Sequence, residues 1–362
     1  MTNVLDYLKW RGDISFDLDG PNEIDGLIFC ELTYLPFEKF ISSCEEEETL
    51  KSLYKKFNSL PEKDKKIGAI FPEKEIIELF SLVASCQRYK GVKVRRFINH
   101  VCKAAEKQFC AMSFVVNKEY VYVAFRGTDD TLVGWKEDFN MAFNNPIPSQ
   151  KASAEYLDEV GHHTRRKMIV GGHSKGGNLA VYASLLSSDK TQEKIAYVQN
   201  FDGPGFRNDV FDEINRSQVA EKITNILPVG SVIGMIFHHV GKTVFIKSKG
   251  KGMYQHDGFN WEVMQKSFVP VDGPLKSSVE IHEIIETITS QMTKEERIEL
   301  VEAIYTLVTV NEASTLTDIS KGKLKFISGV LKADGKSKKV LLSVISKILK
   351  EKYRKKSKPK KD

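Results

Sequence analysis

The sequence is poor in the features that staple, export or anchor a chain. Its five cysteines, Cys30, Cys44, Cys86, Cys102 and Cys110, are odd in number and confined to the first third, with no CxxC and no Cys/His ligand spacing. They read as reduced thiols, which excludes a disulfide framework and a cysteine zinc site. The start, Met1-Thr2-Asn3-Val4-Leu5-Asp6-Tyr7, lacks a basic region followed by an apolar run, so a cytoplasmic protein without a secretory signal is expected. Even Ile226 to Val240, broken by Pro228 and glycines, falls short of the roughly 18 apolar residues that a membrane span needs. HExxH and GxGxxG are missing, and Asp129-Asp130 stand side by side in a loop, a solvated arrangement. No metal, cofactor or nucleotide is therefore expected.

Net charge is small on the body and strongly positive at one end. From Leu331 onward there are thirteen Lys/Arg against three Asp/Glu, a net of +10, which leaves −4 for the remainder of a chain of net charge +6. This argues against a nucleic-acid-binding core and restricts any polyanion contact to the C-terminus. The apolar stretch Val340 to Leu349 followed by lysines either makes a peripheral contact with anionic membrane or is a solubilising tail.

What is present is an α/β rhythm. Leu27-Ile28-Phe29-Cys30 reads as a strand-like run, and Glu75 to Tyr89 as a helix. Met112 to Val116 and Tyr120 to Phe125, joined by Asn117-Lys118, form a hairpin signal. A helix from about Ser149 to Thr164 precedes the apolar strand Lys167 to Val170, then a glycine-rich turn and a helix Asn178 to Leu186. Strands recur at Ala196 to Phe201, Lys222 to Leu227 and Thr243 to Ile246. From about Ser277 the chain turns to amphipathic helices, one opened by the capping box Thr293-x-x-Glu296. The expected organisation is an N-terminal segment over 1–100 packed on a core over 101–276, a helical region over 277–340 and a basic tail over 341–362.

Gly172-His173-Ser174-Lys175-Gly176 is a G-x-S-x-G sequence between a short apolar strand and a small-residue helix. A nucleophile elbow needs this context, because strand and helix approach so closely that the flanking positions must be small. Ser174 would then face a cleft at the positive end of the following helix. The competing reading is a structural or phosphate-binding turn, but the lysine follows the serine instead of preceding it as in a Walker loop.

The chain resembles the class 3 lipases in Val123-Ala124-Phe125-Arg126-Gly127-Thr128, in Trp135 with Asp138 three residues on, and in Ile169 to Ala180, in the family's order. The opening Leu5 to Asp13 and the later Asn200-Phe201-Asp202-Gly203-Pro204-Gly205-Phe206 are more similar to a bacterial lipase-like family, the Mbeg-like proteins. That likeness covers roughly Met1 to Val271. It implies an α/β-hydrolase fold: a mixed, mostly parallel central sheet flanked by helices, here with a helical C-terminal appendage. It also implies a serine hydrolase with Ser174 as nucleophile and Thr128 in the oxyanion hole, where the N–H of Lys175 would be the second donor. Thr131 to Trp135 stands where the lipases carry a lid, but is short and only partly apolar.

In this fold the chain order is serine, acid, histidine, which leaves His238, His239, His256 and His282 as bases. His256, in the loop after the last strand, has the fitting position. The lipase aspartate expected after Lys222 to Leu227 is missing, and Pro228-Val229-Gly230-Ser231 stands there. Asp202, one strand earlier, either replaces it or is a buried turn-former; a dyad oriented by Asp202, Ser231 or a backbone carbonyl is the other arrangement. Lys175 replaces the usual leucine, and either favours an anionic substrate or points to solvent. The expected substrate is a carboxylic ester, lipid esters among them, and the alternative is a catalytically silent hydrolase fold used for binding.

Overall fold

Two asparagines start the first two helices in the same way. Asn3 caps α1 (Val4–Arg11) and Asn22 caps α2 (Glu23–Leu32), each accepting from the next turn while an aspartate three residues on, Asp6 or Asp25, accepts the cap's own N–H. The computed structural model describes residues 2–302 except 42–46, 68–72, 130–131, 142–145, 208–210, 212–217, 294 and 301, together with residue 346. The basic tail and most of the last helical region lie outside the described residues.

Leu27 to Cys30 belong to α2 and are not a strand. A short all-apolar run carries no periodicity to separate strand from helix, and the deciding signal is the capping box upstream. Every residue from Ile24 to Leu32 is buried, Asp25 and Glu31 included, so the helix is enclosed on all sides between the sheet and its neighbours. Those neighbours are α1 and α4 (Glu73–Ser85), and α3 (Leu50–Asn58) packs on α4.

β1 (Glu48–Thr49), β2 (Lys93–Cys102), β3 (Lys107–Val115) and β4 (Tyr120–Phe125) are followed by α5 (Leu132–Asn140), α6 (Pro148–His163), β5 (Lys167–His173), α7 (Lys175–Leu186), α8 (Asp189–Gln192), β6 (Ile195–Phe201), β7 (Ile223–Pro228) and β8 (Lys242–Ile246). From β4 to β6 strands and helices alternate as the rhythm predicts, whereas the ten-residue strand β2 is not among the strands expected. A small pair, β9 (Val263–Met264) and β10 (Ser267–Phe268), precedes β11 (Pro270–Val271) and α9 (Lys276–Ser290). The nine-stranded sheet has the order β1-β2-β3-β4-β5-β6-β7-β8-β11. Pairing from β4 to β8 is parallel, and the outer pairings are antiparallel. Helices cover both faces. With its parallel centre and a serine at the strand–helix turn of β5, this is the α/β-hydrolase architecture.

Strand alternation divides the core. Met168 and Val170 face α6 and α7, whereas Ile169 joins the cluster formed by α1 to α4. Below α2 lies a buried ion pair: Arg88 donates to Asp25 through Nε (2.9 Å) and Nη2 (2.6 Å), and to the carbonyls of Ile14, Asp19 and Gly20. Asp25 also accepts from Tyr7 and Tyr89, and the guanidinium lies 3.9 Å from the Phe16 ring centroid. The turn that follows the opening motif, from Ile14 to Gly20, is thus wound around one arginine.

The Thr293 capping box is formed in both directions, at 2.9 and 3.2 Å. No helix among the described residues is long and apolar enough to cross a membrane.

Candidate active site

The C-terminal ends of β4, β5 and β6 converge on Ser174. It has φ 59° and ψ −133° and directly precedes α7, a left-handed backbone that costs a non-glycine residue energy and recurs at functional turns. Its N–H donates to the carbonyl of Phe201 at 2.9 Å, which fixes the turn against β6. A side chain at Gly172 would collide with the backbone of Gly176, so the tight approach of β5 and α7 requires glycine there. Gly127 is constrained from the other side. A Cβ there would lie 3.1 Å from Ser174 Cβ and collide with the His173 carbonyl, and only its absence lets the loop carrying Thr128 close on Ser174.

His256 and Asp202 are brought together. The imidazole Nδ1 is 2.6 Å from Asp202 Oδ2, and the carboxylate is wholly buried. Asp202 follows β6 at φ 50°, and its N–H donates to Ile226 at 3.0 Å. The two side-chain candidates for the third position are not alternatives: Ser231, at the turn after β7, donates its hydroxyl to Asp202 Oδ1. Where the lipase pattern has an aspartate, this chain has a serine that supports the aspartate of the preceding strand. The rest of that motif is structural. Asn200 Oδ1 accepts from the N–H of Gly203 at 2.9 Å, and Asn178 of α7 donates to Pro204 and Gly205, both at 3.1 Å.

The other histidines are engaged elsewhere. His239 contacts the Gly234 carbonyl and Asn225 Oδ1, His238 faces Glu286 at 3.2 Å, and His282 on α9 reaches the Met235 carbonyl.

Lys175 neither points to solvent nor offers a cation to a substrate. Its side chain is 1% exposed, and Nζ donates to the Gln108 carbonyl (3.0 Å), Gln108 Oε1 (2.6 Å) and Glu137 Oε2 (3.0 Å). Glu137 on α5 is itself fully buried and accepts from Ser149 and from the N–H of Gln108. The next residue, Asp138, accepts from the Thr128 hydroxyl. A buried cation needs a paired anion, and Glu137 was the partner that sequence spacing alone did not reveal. Lys175→Leu leaves Glu137 without its cation but with its neutral donors, so a loss of about 2 kcal/mol is expected by chemical denaturation.

Among the described residues no group of three His, Cys, Asp or Glu side chains is arranged to hold a metal ion. No curated protein matches the chain. Among solved structures, a fungal lipase bound to an inhibitor is 16% identical over 44% of this chain and 67% of its own, with a TM-score of 0.33. A second fungal lipase is 14% identical over 58% and 78%, TM-score 0.37. A mutant form of MDLA from Penicillium cyclopium is 14% identical over 75% and 96%, TM-score 0.37. The Mbeg1-like family model matches residues 83–306, a stretch that holds Thr128, the elbow, Asp202 and His256, and the chain belongs to that family.

Proposed function

We propose that this chain is a serine hydrolase that cleaves carboxylic esters, lipid esters among them, through an acyl-enzyme on Ser174. The observation that carries the reading is the buried contact between His256 Nδ1 and Asp202 Oδ2 at 2.6 Å. A carboxylate there fixes the imidazole with Nδ1 protonated, leaves Nε2 as the base, and stabilises the imidazolium once it has taken the serine proton. His256 removes that proton as Oγ attacks the ester carbonyl. The backbone N–H groups of Thr128 and Lys175 bind the developing oxyanion; no hydrogen bond to another described residue engages either of them. His256 then protonates the leaving alkoxide, and water hydrolyses the acyl-enzyme by the reverse sequence.

The buried Lys175–Glu137 pair removes the reason to expect an anionic substrate, so a neutral ester is the better fit. A fluorophosphonate that labels activated serines tests the assignment. Wild type is expected to label, Ser174→Ala not at all, and His256→Ala about 10⁶-fold more slowly. A wild-type protein that stays unlabelled from pH 6 to 9 would replace the hydrolase reading with that of a silent fold used for binding. If labelling occurs, a series of p-nitrophenyl esters defines the acyl length.

A further inference from the structure

Behind the His256 loop, two buried polar atoms face each other without a hydrogen bond. Nδ1 of His173 and Oε1 of Glu31 are 3.5 Å apart, both side chains are 6% exposed, and each atom lacks a hydrogen-bond partner. The other ring nitrogen of His173 is 2.8 Å from the carbonyl oxygen of His256, and the two imidazoles stack with centroids 4.6 Å apart. A carbonyl only accepts, so Nε2 of His173 must carry a proton. Nδ1 is then an acceptor if the ring is neutral, and the atom facing it must supply a hydrogen.

We propose that Glu31 is a positioning residue for the general base: as a neutral carboxylic acid it offers its O–H to His173 Nδ1, holds that ring as the Nε2–H tautomer, and so fixes the carbonyl of His256. This rests on the hydrolase reading only for its effect on rate. The alternative, a glutamate–imidazolium pair, is opposed from every side. Burial, and after it the like charge of Asp257 from the segment after His256, pushes the Glu31 carboxyl up to about 8. Burial and the neighbouring His256 push His173 down to about 3. The other titratable groups beside Glu31, the Cys30 thiol and the Tyr34 phenol, have pKa values raised by burial and bring no charge. Trp261 closes the assembly edge-on to His173, its indole N–H donating to the Gln255 carbonyl at 2.8 Å.

Two readouts on the full chain decide the matter. In ¹⁵N-histidine NMR spectra, with His173 assigned by loss of its signals in His173→Gln, the ring is expected as the neutral Nε2–H tautomer from pH 5 to 8. A protonated ring, an Nδ1–H tautomer or titration within that range would overturn the inference, whether or not Ser174 reacts. In the fluorophosphonate pH profile, wild type is expected to lose about tenfold in rate as Glu31 ionises above about pH 8. Glu31→Gln, which keeps a hydrogen for Nδ1 and cannot ionise, should lack that alkaline fall. Glu31→Leu should be about tenfold slower at pH 7, with Glu31→Gln recovering the rate. Equal profiles for wild type and Glu31→Gln count against the proposal, and that comparison stands even if the leucine variant fails to fold. An unlabelled wild type with the predicted His173 tautomer would sink the hydrolase reading and leave the Glu31 assignment standing.

Discussion

Replacing Asp202 by asparagine is expected to slow fluorophosphonate labelling of Ser174 by about 10⁴-fold while leaving the fold intact. The amide has the carboxylate's shape, and its space is defined by Ser231 and by the close approach of Gly234. Two things change. The imidazolium formed during attack loses the charge that stabilises it, and the amide's NH₂ can present a donor to Nδ1, which favours the tautomer with its proton on the wrong nitrogen. Because Asp202 is wholly buried, no water replaces the lost charge. The measurement is a second-order labelling rate set beside a circular dichroism spectrum. A rate within tenfold of wild type, with an unchanged spectrum, would mean that Asp202 is the buried turn-former and that another group orients His256.

The largest stability effect should come from a residue far from this chemistry. Arg88→Leu is expected to cost about 3–5 kcal/mol in chemical denaturation, because it leaves Asp25 buried without its cation and strips donors from three carbonyls. Asp25 would keep Tyr7, Tyr89 and the N–H of Asn22, which is why the estimate stops there. Arg88→Lys restores the charge but not the planar fork that meets Asp25 through two nitrogens, so it should recover only part of the loss. A loss below 1 kcal/mol for Arg88→Leu would show that the pair contributes little to holding the N-terminal helices on the sheet.

The elements that were legible are those whose sequence signal is local. The hairpin at Asn117-Lys118 and the strand, glycine turn and helix around Ser174 each carry their own punctuation, and β3–β4 and β5–α7 lie where it predicts. α2 was misread because its apolar run has no period, and only Asn22 and Asp25 reveal the helix. The pairing of His256 with Asp202 could be posed from chain order but not resolved, since two strands offered a third member and nothing local showed that Ser231 serves Asp202. Lys175 shows the limit most clearly. Its environment is made by Gln108 and Glu137, 67 and 38 residues away, and a buried ion pair between distant elements has no local signature.

The segment after His256 is held by the other end of the chain. Thr2 and Val263 exchange two hydrogen bonds across 261 residues, and Asn3 donates to the Phe259 carbonyl at 3.1 Å across 256. Glu31 reaches the same loop through His173. Contacts of such sequence separation form late, because the whole intervening chain must close on itself first. During synthesis the α1–α4 layer and the hairpin are complete long before Trp261 and Val263 leave the ribosome. Until they do, the loop that carries the proposed base lacks the contacts that hold it, so a nascent chain with a folded elbow is expected to stay unlabelled by the fluorophosphonate.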